Sequence, residues 1–245
     1  MGGPHTRESL ARDLRALRLE PGDMVFVHSS FKSLGPVEGG AAAVVGALED
    51  AVGPEGLILM PSFNLVEHDK RATTWNVETS PATTGWITEF FRTMPGTVRS
   101  DHYSHSVAAR GRRAHEFVSE HLSREGLESP WDKDPWGKCY GMRSPMMKAY
   151  DADGKLLMLG VDYHSSTYVH VVEVMYWHWC RKKDPKADYS WIKREVVGEF
   201  WDRQGRMCRG KVGNADCRLF GIRDYVDGAL AELQRNPGPY VKTWG

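Results

Sequence analysis

The stretch from Leu156 to Trp177 constrains the fold more strongly than any other part of this 245-residue chain. It opens with a short apolar run, Leu156–Leu159, which ends at Gly160. That length, followed by a turn residue, is typical of a buried strand. The segment after the turn is apolar almost all round, with four valines (Val169, Val171, Val172 and Val174). It therefore predicts a helix covered on most sides. A buried strand that leads into a buried helix requires a layered interior.

Three polar residues interrupt this apolar segment at a regular spacing. Thr167, His170 and Glu173 follow one another at intervals of three residues, so a helix would present all three on one face. Burying an imidazole and a carboxylate without partners is costly, which implies that they pair or that they face a cavity. A histidine satisfied inside the core remains the alternative. Polar groups that converge in an apolar setting favour a catalytic site made of His170, Glu173 and Thr167.

The first third of the chain alternates between helical and strand patterns. Thr6 is placed to cap a helix, and Met24–His28 and Leu57–Met60 read as strands on either side of a helix that Gly53 closes. This alternation predicts an α/β fold, and the length suits one domain over residues 1–245. Towards the C-terminus, the pattern predicts strand-like runs at Trp191–Val197 and Glu199–Asp202, then a helix at Gly221–Gln234. The proline-punctuated segment Ser129–Lys148 is predicted to run over the surface near a site.

The loop His28–Gly40 joins the first predicted strand to a helix. Its small, hydroxylic and glycine residues leave backbone N–H groups free, and a helix N-terminus favours an anion such as a pyrophosphate. It is neither a Walker loop nor a G-x-G-x-x-G fingerprint. An ordinary capped turn is the alternative on pattern alone.

Composition excludes several classes of protein. Lys and Arg total 32, as do Asp and Glu, so the formal net charge of zero gives no support for a nucleic-acid partner. The four cysteines form no C-x-x-C pair and are predicted to be reduced thiols of a cytoplasmic protein. No apolar run is long enough to span a membrane. His102 and His105 are three residues apart, but no further ligand follows at a zinc-like spacing, so no metal is predicted.

Several separate stretches together resemble the aminoglycoside 3-N-acetyltransferase family, also called the antibiotic N-acetyltransferase family. The resemblance covers nearly the whole chain, and its specificity lies in the shared order of the pieces. They are H-S-S-F-K-S-L-G at His28–Gly35, A-V-G-P-E-G-L-I-L-M-P-S-F at Ala51–Phe63, H-S-V-A-A-R-G at His105–Gly111, L-L-M-L-G-V at Leu156–Val161, T-Y-V-H-V-V-E at Thr167–Glu173 and K-V-G-N-A-D-C-R-L-F-G-I-R-D at Lys211–Asp224.

The resemblance implies a fold, a coenzyme and a set of site residues. The fold would be a single α/β domain with a mixed central sheet flanked by helices, and the acetyl donor would be acetyl-CoA. His170 matches the family's catalytic histidine, with Glu173 beside it. Ser106 and Val107 match a segment that lines the coenzyme. The coenzyme-binding loop would supply His28, Ser29, Ser30, Lys32, Ser33, Leu34, Gly35, Val37, Gly39 and Gly40.

The function predicted on this basis is N-acetylation of an aminoglycoside, with His170 as general base. Backbone N–H groups or the hydroxyl of Thr167 or Ser106 would stabilise the developing oxyanion. A polycationic acceptor calls for an acidic wall, for which Glu67 and Asp69 are the nearest candidates. Acetylation of another small amine in biosynthesis, and coenzyme A binding without turnover, remain alternatives. The expected form is a monomer or a homodimer.

Overall fold

The fold is built on a mixed seven-stranded sheet in a computed structural model that describes residues 3–66 and 68–242. The strands in chain order are β1 (Met24–Ser29), β2 (Leu57–Pro61), β3 (Val98–Arg99), β4 (Val107–Gly111), β5 (Lys155–Leu159), β6 (Cys208–Val212) and β7 (Ala215–Gly221). Their order across the sheet is β3-β4-β2-β1-β5-β7-β6. β1 runs parallel to β2 and β5, and the remaining pairs are antiparallel. The predicted α/β fold with a mixed central sheet is confirmed.

The three central strands share one direction, which brings distant segments of the chain together. The chain leaves β1 at Ser29, β2 at Pro61 and β5 at Leu159. Because the carboxyl ends of parallel strands lie at the same edge of a sheet, the segments that follow these residues converge there.

Helices cover both faces of the sheet. They are α1 (Arg7–Ala16), α2 (Gly40–Val52), α3 (Arg71–Thr74), α4 (Trp86–Thr93), α5 (Ala114–Val118), α6 (Pro145–Asp151), α7 (Tyr168–Arg181), α8 (Arg194–Gln204) and α9 (Ile222–Arg235). Side chains alternate along β1: Phe26 packs with α7 and α9, whereas Val25 and Val27 pack with α1 and α2. Thr6 caps α1 as predicted. Within the described residues, no helix combines the length and apolar character needed to cross a lipid bilayer.

Two sequence predictions are wrong. The strands expected within residues 191–202 are replaced by the helix α8. Val197 and Trp201 lie four residues apart on its buried face, so helical spacing prevails over the strand preference of the paired valines. The segment 129–148 does not stay on the surface, because Cys139 and Tyr140 are buried in the core that surrounds α7.

Candidate functional site

A cavity of about 420 Å³ opens at the carboxyl edge of the central strands. The segments that line it are distant in sequence but converge because of the strand directions described above. Its wall includes His28, Ser29, Pro61, Phe63, Leu65, Arg71, Ser104, His105, Trp131, residues 164–167, His170, Trp191 and Arg194. We refer to it as the central cavity.

His170 and Glu173 form a close pair at this cavity. Nδ1 of His170 lies 2.5 Å from Oε2 of Glu173, and the glutamate is fully buried. The same carboxylate accepts hydrogen bonds from the hydroxyl of Tyr189 at 3.1 Å and from the backbone N–H of Ile192 at 2.9 Å. Three donors therefore hold Glu173, and Glu173 in turn fixes the orientation of the imidazole.

Arg194 determines which nitrogen of His170 carries the proton. Its Nη2 lies 2.8 Å from His170 Nε2, and its Nη1 donates to the carbonyl of His164 at 2.6 Å. A guanidinium group can only donate, so Nε2 must be the acceptor in this contact. The proton of the neutral ring then resides on Nδ1 and points to Glu173. The lone pair of Nε2 accepts from Arg194, and both residues line the central cavity.

His28 joins the end of β1 to the start of α7. Its Nε2 accepts a hydrogen bond from the backbone N–H of Thr167 at 3.1 Å. Burial lowers the pKa of His28 to about 3, so the ring is neutral at physiological pH. Thr167 immediately precedes α7 and lines the cavity beside His170. Thr167, His170 and Glu173, which were predicted to share one face of a helix, thus lie close together.

Aromatic side chains surround the imidazole of His170. The ring centroid of Trp131 lies 4.9 Å from that of His170, and the centroid of Trp191 lies 6.5 Å away. Tyr140 is 6.2 Å distant and buried, and burial raises its pKa well above the ordinary value. The base candidate therefore sits in a largely apolar environment, in which electrostatic contacts are strengthened.

The predicted coenzyme loop borders the central cavity at one end. Ser29 lines the cavity, and its hydroxyl has no protein partner among the described residues. The hydroxyl of Ser33 lies 2.9 Å from Oγ of Ser30 and 3.0 Å from the carbonyl of Gly160. Lys32 is exposed, whereas Leu34 is fully buried in the core and Val37 forms an isolated bridge with His5.

The loop leads to an open second cavity of about 540 Å³. Ser33 and Gly160 line it, and Ser165 belongs to the walls of both cavities. α2 begins at Gly40, directly after Gly39, whose φ of 77° is left-handed. Gly35, with φ of 78°, has no room for a Cβ atom against the side chain of Asn214. Because Ser165 borders both cavities, they adjoin each other on the His170 side of the loop.

Of the predicted coenzyme loop, His28 and Ser29 line the central cavity. Outside that loop, four further predicted binding residues do not line it or are not described. Ser106 is fully buried: its hydroxyl lies 2.6 Å from the carbonyl of Ser100 and 3.0 Å from Nε of Arg99, so both of its hydrogen bonds are to protein. Val107 is a core residue of β4. Asp69 is fully exposed beside His68 and does not line the cavity. Glu67 lies outside the described residues.

His102 and His105 acquire a third neighbour that the sequence spacing did not suggest. Among the described residues, Cys139 joins them in a buried group whose candidate ligand atoms lie within 4.8 Å of one another. The Nδ1 of His102 accepts two backbone N–H bonds, at 2.9 and 3.2 Å, so a neutral His102 carries its proton on Nε2. Burial also raises the pKa of the Cys139 thiol well above its usual range. A metal needs a free imidazole lone pair and a thiolate, which this arrangement disfavours.

Arg71, Arg194, Trp131 and Trp191 line the cavity but were not anticipated from the sequence. Trp131 and Trp191 lie in turn-rich segments. A large aromatic residue in such a segment is only a weak indication that it packs against a site. Nothing local separates Arg71 or Arg194 from a solvated arginine, because most arginines are exposed and only tertiary structure shows otherwise.

Comparisons with known proteins found a matching family and several proteins of the same fold. The family model described as aminoglycoside 3-N-acetyltransferase matches residues 26–234. The SPbeta prophage-derived aminoglycoside N(3')-acetyltransferase-like protein YokD of Bacillus subtilis (strain 168) is 32% identical, over 98% of this chain and 96% of its own. A crystal structure of a histidine-to-alanine mutant of AAC(3)-IVa in complex with a gentamicin superposes with a TM-score of 0.78 at 25% identity, covering 97% of this chain and 91% of the other. AAC-IIIb, solved as a binary complex with CoASH, shares the fold, with a TM-score of 0.76 and 24% identity over 95% and 97% of the two chains.

Proposed function

Because the chain belongs to the aminoglycoside 3-N-acetyltransferase family, we propose that it transfers the acetyl group of acetyl-CoA to a small-molecule amine, with His170 as the general base. The observation that carries this proposal is the His170–Glu173 pair, in which Nδ1 is bound to a buried carboxylate and the imidazole lines the central cavity. A protein that only binds coenzyme A has no need of a base held in this way.

In this proposal, His170 removes a proton from the attacking amine. Acetyl-CoA is the acetyl-donor substrate: the amine nitrogen bonds to its carbonyl carbon, the C–S bond breaks, and coenzyme A leaves as the thiol. His170 Nε2 accepts the proton of the amine, and the imidazolium returns it to the departing sulfur. Glu173 stabilises the imidazolium through the 2.5 Å contact at Nδ1, as the acid of a catalytic triad does.

The donor would lie along the two cavities described above. Ser29, Ser30, Ser33 and the start of α2 would hold the anionic and pantetheine parts, with the thioester end near Thr167 and His170. The bound CoASH of AAC-IIIb, a protein with the same fold, supports this choice of donor. Ser106 gains no support for a contact with the donor, because its hydroxyl is already engaged by Ser100 and Arg99.

Aminoglycosides are the first acceptors to consider, because AAC(3)-IVa was solved with a gentamicin. For this chain the aminoglycoside is a proposal that rests on family membership. Acetylation of a different small amine uses the same His170 chemistry, and the composition of the cavity wall bears on that choice.

The base assignment is tested by replacing His170. We expect His170→Ala to lower kcat by about a hundredfold or more, the usual contribution of a general base, while the Kd for coenzyme A stays nearly unchanged. Release of free thiol from acetyl-CoA measures turnover, and calorimetry measures coenzyme binding. His178→Ala makes the same change in the same helix, away from the cavity, and should keep full activity.

A structural role for His170 makes a different prediction. A core histidine replaced by alanine would lower the melting temperature and leave the folded fraction active. A well-folded His170→Ala protein with near-normal single-turnover rates would therefore end the case for this base. Glu173→Gln should show a smaller loss of kcat than His170→Ala, because the imidazole keeps a hydrogen-bond acceptor but loses the stabilising charge.

A further inference from the structure

The central cavity has an unusual charge for a site that would bind a polycation. Among the described residues of its wall, the side chains with a permanent charge are two arginines, Arg71 and Arg194, and no aspartate or glutamate takes part. Phe63, Trp131 and Trp191 supply apolar surface between the polar groups. The wall thus offers positive charge and aromatic area.

Arg71 is a buried guanidinium for which the described part of the chain supplies no anionic partner. It is only 5% exposed, and its Nε has no hydrogen-bond partner within the described part of the chain. Its Nη1 makes one long contact, 3.3 Å, with the backbone carbonyl of Asn64, and its guanidinium carbon lies 5.6 Å from the centroid of the Tyr103 ring. Buried charges are normally paired, because removing an unpaired charge from water is costly. Because Arg71 lines the central cavity, an anionic ligand in that cavity is the nearest candidate for the missing partner.

Arg194 has only uncharged acceptors in the structure. It donates to the carbonyl of His164 and to Nε2 of His170, at 2.6 and 2.8 Å. Because Nε2 of His170 already accepts from Arg194, the guanidinium must move before that atom can take a proton from the amine. An anion on the acceptor would draw Arg194 away from Nε2, the atom that must meet the amine.

We propose that the acceptor amine carries an anionic group, a carboxylate or a phosphate, which pairs with Arg71 and Arg194. The proposal rests on the proposed function, since it names the acceptor class of the same cavity. The planar guanidinium fork binds both anions in a bidentate manner. The aromatic wall accommodates the carbon skeleton that separates the anion from the amine, whereas a polycation would place further positive charge beside two arginines.

Binding of matched amines to the protein–coenzyme A complex tests this acceptor class directly. The pairs are 4-aminobutyrate with n-butylamine, 6-aminohexanoate with n-hexylamine, and O-phosphoethanolamine with ethanolamine; gentamicin serves as the polycation. By calorimetry, we expect the anionic member of a pair to bind at least tenfold more tightly than its uncharged-tail partner. The first two pairs report on a carboxylate and the third on a phosphate. Equal binding within every pair, or tighter binding of gentamicin than of every anionic amine, overturns the proposal.

Variants then assign the preference to the two arginines. Arg71→Gln and Arg194→Gln should each remove most of the preference for the anionic amine, whereas Arg71→Lys, which keeps the charge, should retain part of it. Arg203→Gln removes the same charge from an exposed position of α8 and should change nothing. If Arg71→Gln does not fold, as its melting curve will show, Arg194→Gln and the wild-type pairs still decide the question.

Two further outcomes distinguish this acceptor proposal from a role of the arginines in donor binding and from a failure of the proposed function. If Arg71→Gln and Arg194→Gln weaken the binding of coenzyme A itself and leave the amine preference intact, the arginines serve the donor's phosphates and the proposal fails. Thiol release from acetyl-CoA is followed with the same amines. Absence of acetylation with all of these amines, gentamicin included, would contradict the proposed function. The calorimetric binding preference tests the acceptor class independently of that result.

Discussion

The two ring nitrogens of His170 each contact a charged neighbour, and only one of these neighbours could be foreseen. Glu173 is three residues further along the same helix, so spacing alone predicts its contact with the imidazole. Arg194 reaches Nε2 from 24 residues away, at the start of another helix. Arg71 comes from a third segment with no periodic pattern. The contact between His170 and Glu173 could thus be predicted from the sequence, but the charge around it depends on tertiary structure.

Arg194 should also restrain the base when no acceptor is present. While Arg194 holds Nε2, the imidazole has no free lone pair with which to activate water. We expect Arg194→Ala to raise the hydrolysis of acetyl-CoA in the absence of any amine by about tenfold or more, since a general base contributes at least that much. Thiol release without acceptor measures this rate. Arg203→Ala, on the exposed side of the same helix, is the matched control, and an unchanged rate in Arg194→Ala would refute the restraint.

Each element that could be predicted well from the sequence has one clear hydrophobic pattern. α1, α2 and α9 repeat apolar residues at helical spacing, and β1, β2 and β5 are short apolar runs that end at turn residues. α8 has a mixed signal, because Val196 and Val197 favour a strand and Gly198 suggests a break. Packing favours the helix at this position, because it buries Val197, Gly198 and Trp201 together. Local preference could not reveal that contact.

Gly198 should be required for the packing of α8. A Cβ atom at this position would overlap the ring of Tyr163. We expect Gly198→Ala to lower the free energy of unfolding by about 1–3 kcal/mol, the usual cost of overpacking, although alanine is the better helix former. Gly46→Ala is the matched control in α2, because its new methyl group would meet the movable end of Arg7. Chemical denaturation measures both, and a Gly198→Ala protein as stable as the wild type would contradict the packing.

The folded molecule buries four histidines in their neutral form. Burial lowers the pKa of His28 and of His121 to about 3, and it lowers those of His102 and His105 well below the ordinary value. In the unfolded chain these groups would titrate near 6.5. Between those values the unfolded chain binds protons that the folded chain does not, so acid favours unfolding.

Stability should therefore decline early as the pH falls. Above about pH 7.5, we expect the titration of these histidines to have almost no effect on the free energy of unfolding. Below about pH 6 it should fall by up to about 1.4 kcal/mol per pH unit for each of them. His121→Gln, which keeps an amide for both hydrogen bonds, should reduce the slope by about a quarter, and His115→Gln at an exposed position should not. Urea unfolding measured from pH 8 to pH 5 gives the slopes. A free energy of unfolding that does not change over this range would contradict the burial of neutral histidines.

The cavity wall has two parts with different freedom to change during evolution. The proposed base and its carboxylate belong to α7, a helix embedded in the core, where most substitutions would disturb many neighbours. Arg71 begins the four-residue helix α3, and Trp131 and Trp191 lie in connecting segments. Such short and irregular segments tolerate replacement and insertion. A lineage can therefore exchange the surface that selects the acceptor and keep the chemistry intact. Relatives that share only about a quarter to a third of their residues with this chain are what such divergence would leave behind.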